Sequence, residues 1–229
     1  MWQIFSSDYD TQASFYGTKA ACEPVHVQLN LGNGQVDVVN TTTQPLPGLR
    51  VHVRVLSLSN TVLLDQTQGS DVAADDMAHA MRLDLPALEG NKVVLVVLDL
   101  TEAHGALLSH NVYWLGQKAS TYRELNTLPA VRLQASANER HAEGKVLVRV
   151  QLTNTSQAAT LANKLTLLHA RNGERILPAY YSDNYISLLP GEVRTVEIEY
   201  PDTGDDGPAK IALRGWNAVQ QSVTVTAVR

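Results

Sequence analysis

The sequence predicts an all-β chain: two β-sandwiches in tandem behind a short N-terminal helix. Three observations carry this. Short apolar runs rich in Val, Leu and Thr follow one another from Pro24 onward, several of them alternating with polar residues as a half-buried strand does. Turn residues separate the runs roughly every 8–12 residues with no helical pattern between them, the spacing of sandwiches rather than of βαβ units. The polar, proline-containing stretch "KASTYRELNTLPA" (118–130) divides the runs into two sets of similar length.

The opening stands apart. Trp2, Phe5 and Tyr9 recur at helical spacing, Asp10 is placed to cap a helix running through Ala13, Tyr16 and Ala20, and Pro24 stops it. The first set of runs is then "VHVQLNL" (25–31), "QVDVVN" (35–40), "LRVHVRVLS" (49–57), "TVLLDQ" (61–66), "AHAMRLDL" (78–85), "KVVLVVLDL" (92–100) and "ALLSHNVYWL" (106–115). In the third, Val51, Val53 and Val55 alternate with His52 and Arg54, so one face is apolar and the other polar. Asn33-Gly34 suits a tight hairpin between the first two runs, because both residues accept positive φ. The second set is "VRLQASA" (131–137), "KVLVRVQLTN" (145–154), "NKLTLLHAR" (163–171), "RILPAYYSDN" (175–184), "VRTVEIEY" (193–200), "AKIALRG" (209–215) and "SVTVTAV" (222–228). These sets argue for an immunoglobulin-like sandwich over residues 24–120, a linker over 121–130 and a second such sandwich over 131–229, a single large barrel being the alternative.

Composition narrows the function. The 229 residues, 44% of them apolar, supply cores for two domains of about 100 residues each. With 18 basic and 23 acidic side chains, a net charge of -5 and no Lys/Arg cluster, nothing matches a phosphate backbone, so no nucleic-acid partner is expected. No apolar run approaches the roughly 20 residues a bilayer requires, and the opening lacks the basic and apolar regions of a signal peptide, so no membrane partner is expected either. Cys22, the lone cysteine, reads as a small buried hydrophobe at the end of a helix and fits cytosol and periplasm equally, which leaves the compartment open.

Tyr180, Tyr181, Asp183, Asn184 and Tyr185 concentrate aromatic faces with amide and carboxylate groups, a combination suited to a sugar, whose CH faces stack on rings and whose hydroxyls take polar partners. The same residues equally suit a turn shaped by Asp183 and Asn184 with tyrosines packed at a sandwich edge. Trp114 and Trp216 sit at strand ends, where the core tryptophan of a sandwich and a sugar platform look alike; we read both as core. "PDTGDDG" (201–207) lacks the alternating spacing of a calcium loop, and Asp71, Asp75, Asp76 and His79 read as a hydrated stretch. The seven histidines are scattered, with no paired ligand spacing, so neither a metal nor another cofactor is expected. No G-x-S-x-G elbow occurs, and no catalytic residue is assigned. Asn40-Thr41-Thr42 and Asn154-Thr155-Ser156 match the glycosylation sequon.

At four places the sequence resembles a known family. "MWQIFSSDYDTQASFYGTKAACEPVHVQ" (1–28) is similar to the passage, in family-two glycoside hydrolases of the β-mannosidase and exo-β-glucosaminidase type, where the catalytic (β/α)8 barrel ends and C-terminal immunoglobulin-like domains begin. "NVYWLG" (111–116), "SDNYISLLPGEVRTVEI" (182–198) and "LRGWN" (213–217) extend the resemblance over essentially the whole chain. It implies that residues 1–23 are the terminal helix of an absent barrel, and that this barrel, on the same polypeptide, is the main partner. Retaining enzymes of this type use two glutamates about 5 Å apart; the resemblance places both upstream of Met1, so this part alone is expected to be inactive. What remains for it is a non-catalytic, supporting role in an enzyme acting on β-mannosides or β-glucosaminides, with Tyr181, Asp183, Asn184 and Tyr185 toward the substrate entrance and a β-linked oligosaccharide as their ligand. Such a parent would be periplasmic or secreted. The alternative is an independent carbohydrate-binding module, which needs a coplanar row of exposed aromatics; an adhesion-type sandwich pair would instead use its sheet edges.

Overall fold

The computed structural model describes residues 4, 6–90, 92–204 and 207–227, except for the side chain of Glu89. They fall into two compact units. One is Gly17–Thr127; the other joins the described residues up to Tyr16 to those from Leu128 on.

The Gly17–Thr127 unit contains β1 (Val25–Asn30), β2 (Gln35–Asn40), β3 (Leu46–Ser57), β4 (Val62–Val72), β5 (Asp76–Arg82), β6 (Val94–Thr101) and β7 (Leu107–Leu115). They form a three-stranded sheet in the order β1-β2-β5 and a four-stranded sheet in the order β4-β3-β6-β7, every pairing antiparallel. Period-two patterning explains the packing. Val51, Val53 and Val55 of β3 and Val94, Val96, Leu98 and Leu100 of β6 share one core with Val27, Leu29, Val36 and Val38. In β6 the intervening Leu95 and Val97 are also fully buried, which is why this run reads as continuously apolar rather than alternating.

Two local expectations need correction. The β1–β2 loop is four residues long, with Asn30 paired to Gln35 and the Gly34 N–H donating to Asn30 O at 2.8 Å. Only Gly34 of the Asn33-Gly34 pair takes a left-handed φ, +74°, and a Cβ there would lie 2.2 Å from Leu83 O. The run read as a strand over 78–85 ends at Arg82, because Asp84 caps a helical turn, α2 (Leu85–Glu89), accepting from Ala87 N at 3.3 Å ahead of Pro86. Part of the linker, Thr121–Thr127, is a 3₁₀ segment.

The second unit contains β8 (Gln134–Ala142), β9 (Lys145–Thr153), β10 (Thr160–His169), β11 (Tyr180–Tyr181), β12 (Ile186–Leu188), β13 (Val193–Pro201), β14 (Ala209–Arg214) and β15 (Gln221–Ala227). Their order is β11-β13-β9-β8-β15-β14-β10-β12. Residues 221–224 of β15 pair antiparallel with β14, and residues 225–227 pair parallel with β8, so one strand serves both layers of the sandwich. Val148, Val150, Leu165, Leu167, Leu188 and Ile198 lie in its core. Of the run expected as a strand over 175–184, Tyr180–Tyr181 pairs with β13 and Arg175 makes an isolated bridge to Leu168; between them Pro178 offers no donor to a ladder.

The N-terminal helix, α1, is Ala13–Ala21. Trp2 and Phe5 lie outside the described residues. Asp10 does not cap α1, since its carboxylate is taken by Lys164 and Arg175 of the second unit. Cys22, one residue past the end of α1, is exposed, not buried. Among the described residues no helix is long and apolar enough to cross a membrane.

Candidate functional site

The stretch between β11 and β12 carries the candidate sugar-facing residues, and the structure gives each a different environment. Tyr181 pairs with Ile198, turns its ring onto the core, and its hydroxyl accepts from Leu167 N at 2.8 Å. Burial pushes its phenol well above the usual range, against the smaller opposing effect of the Leu167 hydrogen bond. Asn184 is 4% exposed, and its amide stands in for a strand neighbour of β10. Oδ1 accepts from Leu165 N at 2.7 Å and Nδ2 donates to Leu165 O at 3.0 Å. Asp183 is exposed and accepts from Asn184 N at 2.7 Å, while Tyr180, at 65% exposure, is the most open aromatic of the stretch.

Tyr185 adopts a left-handed φ of +56°. Its ring centroid lies 5.4 Å from Lys164 Nζ and 6.1 Å from the ring of Tyr16. Lys164 in turn donates to Asp10 Oδ2 at 2.5 Å, and Arg175 pairs with Asp8 and, at 3.5 Å, with Asp10. The structure therefore brings Tyr185 together with Lys164, Asp10, Arg175 and Tyr16, none of which the sequence reading singled out for this place. Patterning carried no signal for this: Lys164 alternates with the core residues Leu165 and Leu167, so a period-two reading places it on the outward face of its strand, and its burial comes from what covers that face.

The other motifs resolve into braces. In "NVYWLG", Asn111 Nδ2 donates to Val27 O at 2.7 Å and Tyr113 Oη accepts from Leu29 N at 3.1 Å, tying β7 to β1. In "LRGWN", Asn217 Oδ1 accepts from Leu161 N, and its Nδ2 donates to Pro129 O and Ala159 O. Trp216 is 52% exposed, so the expectation of a core tryptophan fails there, and Trp114 is half-buried on β7. Asp71 accepts from Gly48 N at 2.6 Å. Five histidines pair with carboxylates: His52 with Asp65, His79 with Asp37, His104 with Glu102, His110 with Asp99 and His141 with Asp202. No three metal-ligating side chains converge among the described residues. A shallow depression lies between Leu31–Gly34 and Arg82–Pro86; its carboxylate, Asp84, is the one that caps α2.

Residues 32–117 match the family of the mannosidase Ig/CBM-like domain, and residues 111–218 match that of the exo-β-D-glucosaminidase Ig-fold domain. The chain belongs to the Ig-fold domains of the exo-β-D-glucosaminidase and mannosidase family. It is 32% identical over 246 residues to an exo-β-D-glucosaminidase of Amycolatopsis orientalis, covering 97% of this chain and 24% of that protein. An exo-β-D-glucosaminidase of Streptomyces avermitilis is 29% identical over the same length, with 97% and 27% covered. The crystal structure of an Amycolatopsis orientalis exo-chitosanase superposes with a TM-score of 0.88 at 29% identity, covering 97% of this chain and 29% of that one. This chain thus spans roughly a quarter of the length of the curated exo-glucosaminidases it matches. Within these Ig-fold domains, the "NVYWLG", "DNY" and "RGWN" strings are places where side chains close backbone hydrogen bonds.

Proposed function

We propose that these two sandwiches are non-catalytic accessory domains, C-terminal to the catalytic barrel of a longer glycoside hydrolase acting on β-glucosaminides or β-mannosides. The observation that carries this reading is the match of both sandwiches to Ig-fold domains of such enzymes, in relatives of which this chain spans only a minor share. Chemistry supports it. Retaining cleavage of a glycosidic bond needs two carboxyl groups about 5 Å apart, one to protonate and one to attack. Here Asp84, in the depression of the first sandwich, holds a helix N-terminus, and Asp37, Asp65, Asp99, Glu102 and Asp202 are each engaged by a histidine. The domains then act by supporting the barrel, with the segment through α1 as the link to it and with Asp183 as the exposed carboxylate offered toward the substrate entrance.

Incubation of this chain with aryl β-glucosaminide and aryl β-mannoside tests the reading. No release of the aryl alcohol above buffer is expected. Turnover that disappears when a carboxylate of this chain is replaced would overturn it.

A further inference from the structure

The segment that precedes the first sandwich in sequence folds with the second. Between Ser6 and Tyr16 the chain makes a tight turn, Tyr9 N donating to Ser6 O at 3.0 Å and Ser6 N to Asp10 O at 2.9 Å, with Tyr9 itself at a left-handed φ of +61°. The turn directs Asp8 and Asp10 to the same side, toward two cations. One of these, Lys164, is only 5% exposed on β10, with Asp10 Oδ2 at 2.5 Å and the Tyr185 ring over its ammonium. The other, Arg175, spans Asp8 and Asp10. Farther along, Tyr16 is buried, its hydroxyl sharing a 2.7 Å hydrogen bond with Thr11 Oγ1 and its ring tilted against Tyr185.

We propose that Lys164, Arg175 and Tyr185 form a seat for an acidic segment, and that Ser6–Tyr16, by filling it, is an integral part of the second sandwich rather than an appendage. An ammonium this deeply placed is tolerated only beside a counter-charge, and removing one member of a buried pair strands the other. A sandwich without the segment would hold Lys164 uncompensated and Tyr185 uncovered. The second unit is thus discontinuous in sequence, with Gly17–Thr127 inserted between its two parts. The inference concerns this chain alone and stands whether or not a barrel precedes it.

Amide exchange and denaturant unfolding on the full chain test the seat, using Asp10→Asn, Lys164→Met and the double variant. In Asp10→Asn, the Tyr9 and Phe15 amides are expected to exchange at least tenfold faster, with β1–β7 unchanged. The shift in unfolding midpoint of the second unit in the double variant is expected to be smaller than the sum of the two single shifts, because each single change strands the partner's charge, which the double variant removes. Should Asp10→Asn fail to fold, Arg175→Gln, which strips only the outer half of the seat, reads the same property through faster exchange at Tyr9. Wild-type-like exchange of the segment in these variants, or strictly additive midpoints, overturns the proposal.

Discussion

Asn154 illustrates what the polar residues of this chain do. It is fully buried, its Nδ2 donating to Ala158 O and Leu188 O while Oδ1 accepts from the amide and hydroxyl of Ser156. Asn40, at the end of β2, repeats the pattern with Gln44 O, Ala73 O and Thr42. Both head glycosylation sequons, yet in each the nitrogen that would carry a glycan is committed to two carbonyls in a place with no room for sugar. Secreted from a eukaryotic host, the folded protein is expected to show no mobility change on endoglycosidase treatment; a shift lost in Asn154→Gln or Asn40→Gln would refute this. Asn154→Ala should cost about 1–3 kcal/mol of stability, the usual consequence of leaving buried carbonyls unpaired, read from urea midpoints. The same logic separates what was legible at the candidate site from what was not. That residues 180–185 form a specialised stretch is visible in the sequence. That the Asn184 amide is spent on Leu165 is not, because an asparagine that closes a strand and one that binds a sugar look identical until the neighbouring backbone is located.

Among the elements, strands with strong period-two or continuously apolar patterns were legible nearly to the residue: the "QVDVVN" run is β2 and the "KVLVRVQLTN" run becomes β9. The failures are short elements fixed by tertiary contacts, such as the three-residue β12, which exists through its pairing with Thr160 and Asn163. Patterning also cannot show which outward-facing polar residues meet across strands. On the four-stranded sheet, Arg54 of β3, Asp99 of β6 and His110 of β7 form a chain, with Asp99 accepting from Arg54 Nη2 at 3.0 Å and hydrogen-bonded to His110 Nδ1 at 2.6 Å. Burial alone would raise the Asp99 carboxyl, but the hydrogen bond and charge of His110 and the Arg54 guanidinium outweigh it and hold it below the ordinary value. A carboxylate depressed by folding contributes stability that is present above its unfolded pKa of about 3.9 and lost as pH falls through the folded value. Wild-type stability is therefore expected to fall on acidification below about pH 4, and Asp99→Asn to be less stable at neutral pH with a flatter acid limb. Urea midpoints between neutrality and pH 3 compare the two; parallel curves would mean that Asp99 carries none of the dependence.

For the molecule as a whole, each unit has its own core, and the sequence order of the units is not their structural grouping. Leu98 is fully buried in the first core and Leu167 in the second. Truncating either to alanine should remove about 2–5 kcal/mol from the unit that contains it, through lost transfer energy and the cavity left behind. The two variants differ in which amides should respond. Leu98→Ala is expected to accelerate exchange in β1–β7. Leu167→Ala is expected to do so in β8–β15 and, although that leucine is far away in sequence, also at Ser6–Tyr16, because the segment is held by Lys164 on the same strand and by Tyr185 beside it. A helix that belonged only to a preceding barrel would not report on Leu167. Segment-resolved hydrogen exchange on both variants decides the matter: loss of protection at Ser6–Tyr16 in Leu98→Ala but not in Leu167→Ala would mean that the segment belongs to the first sandwich and that the discontinuous unit is wrong.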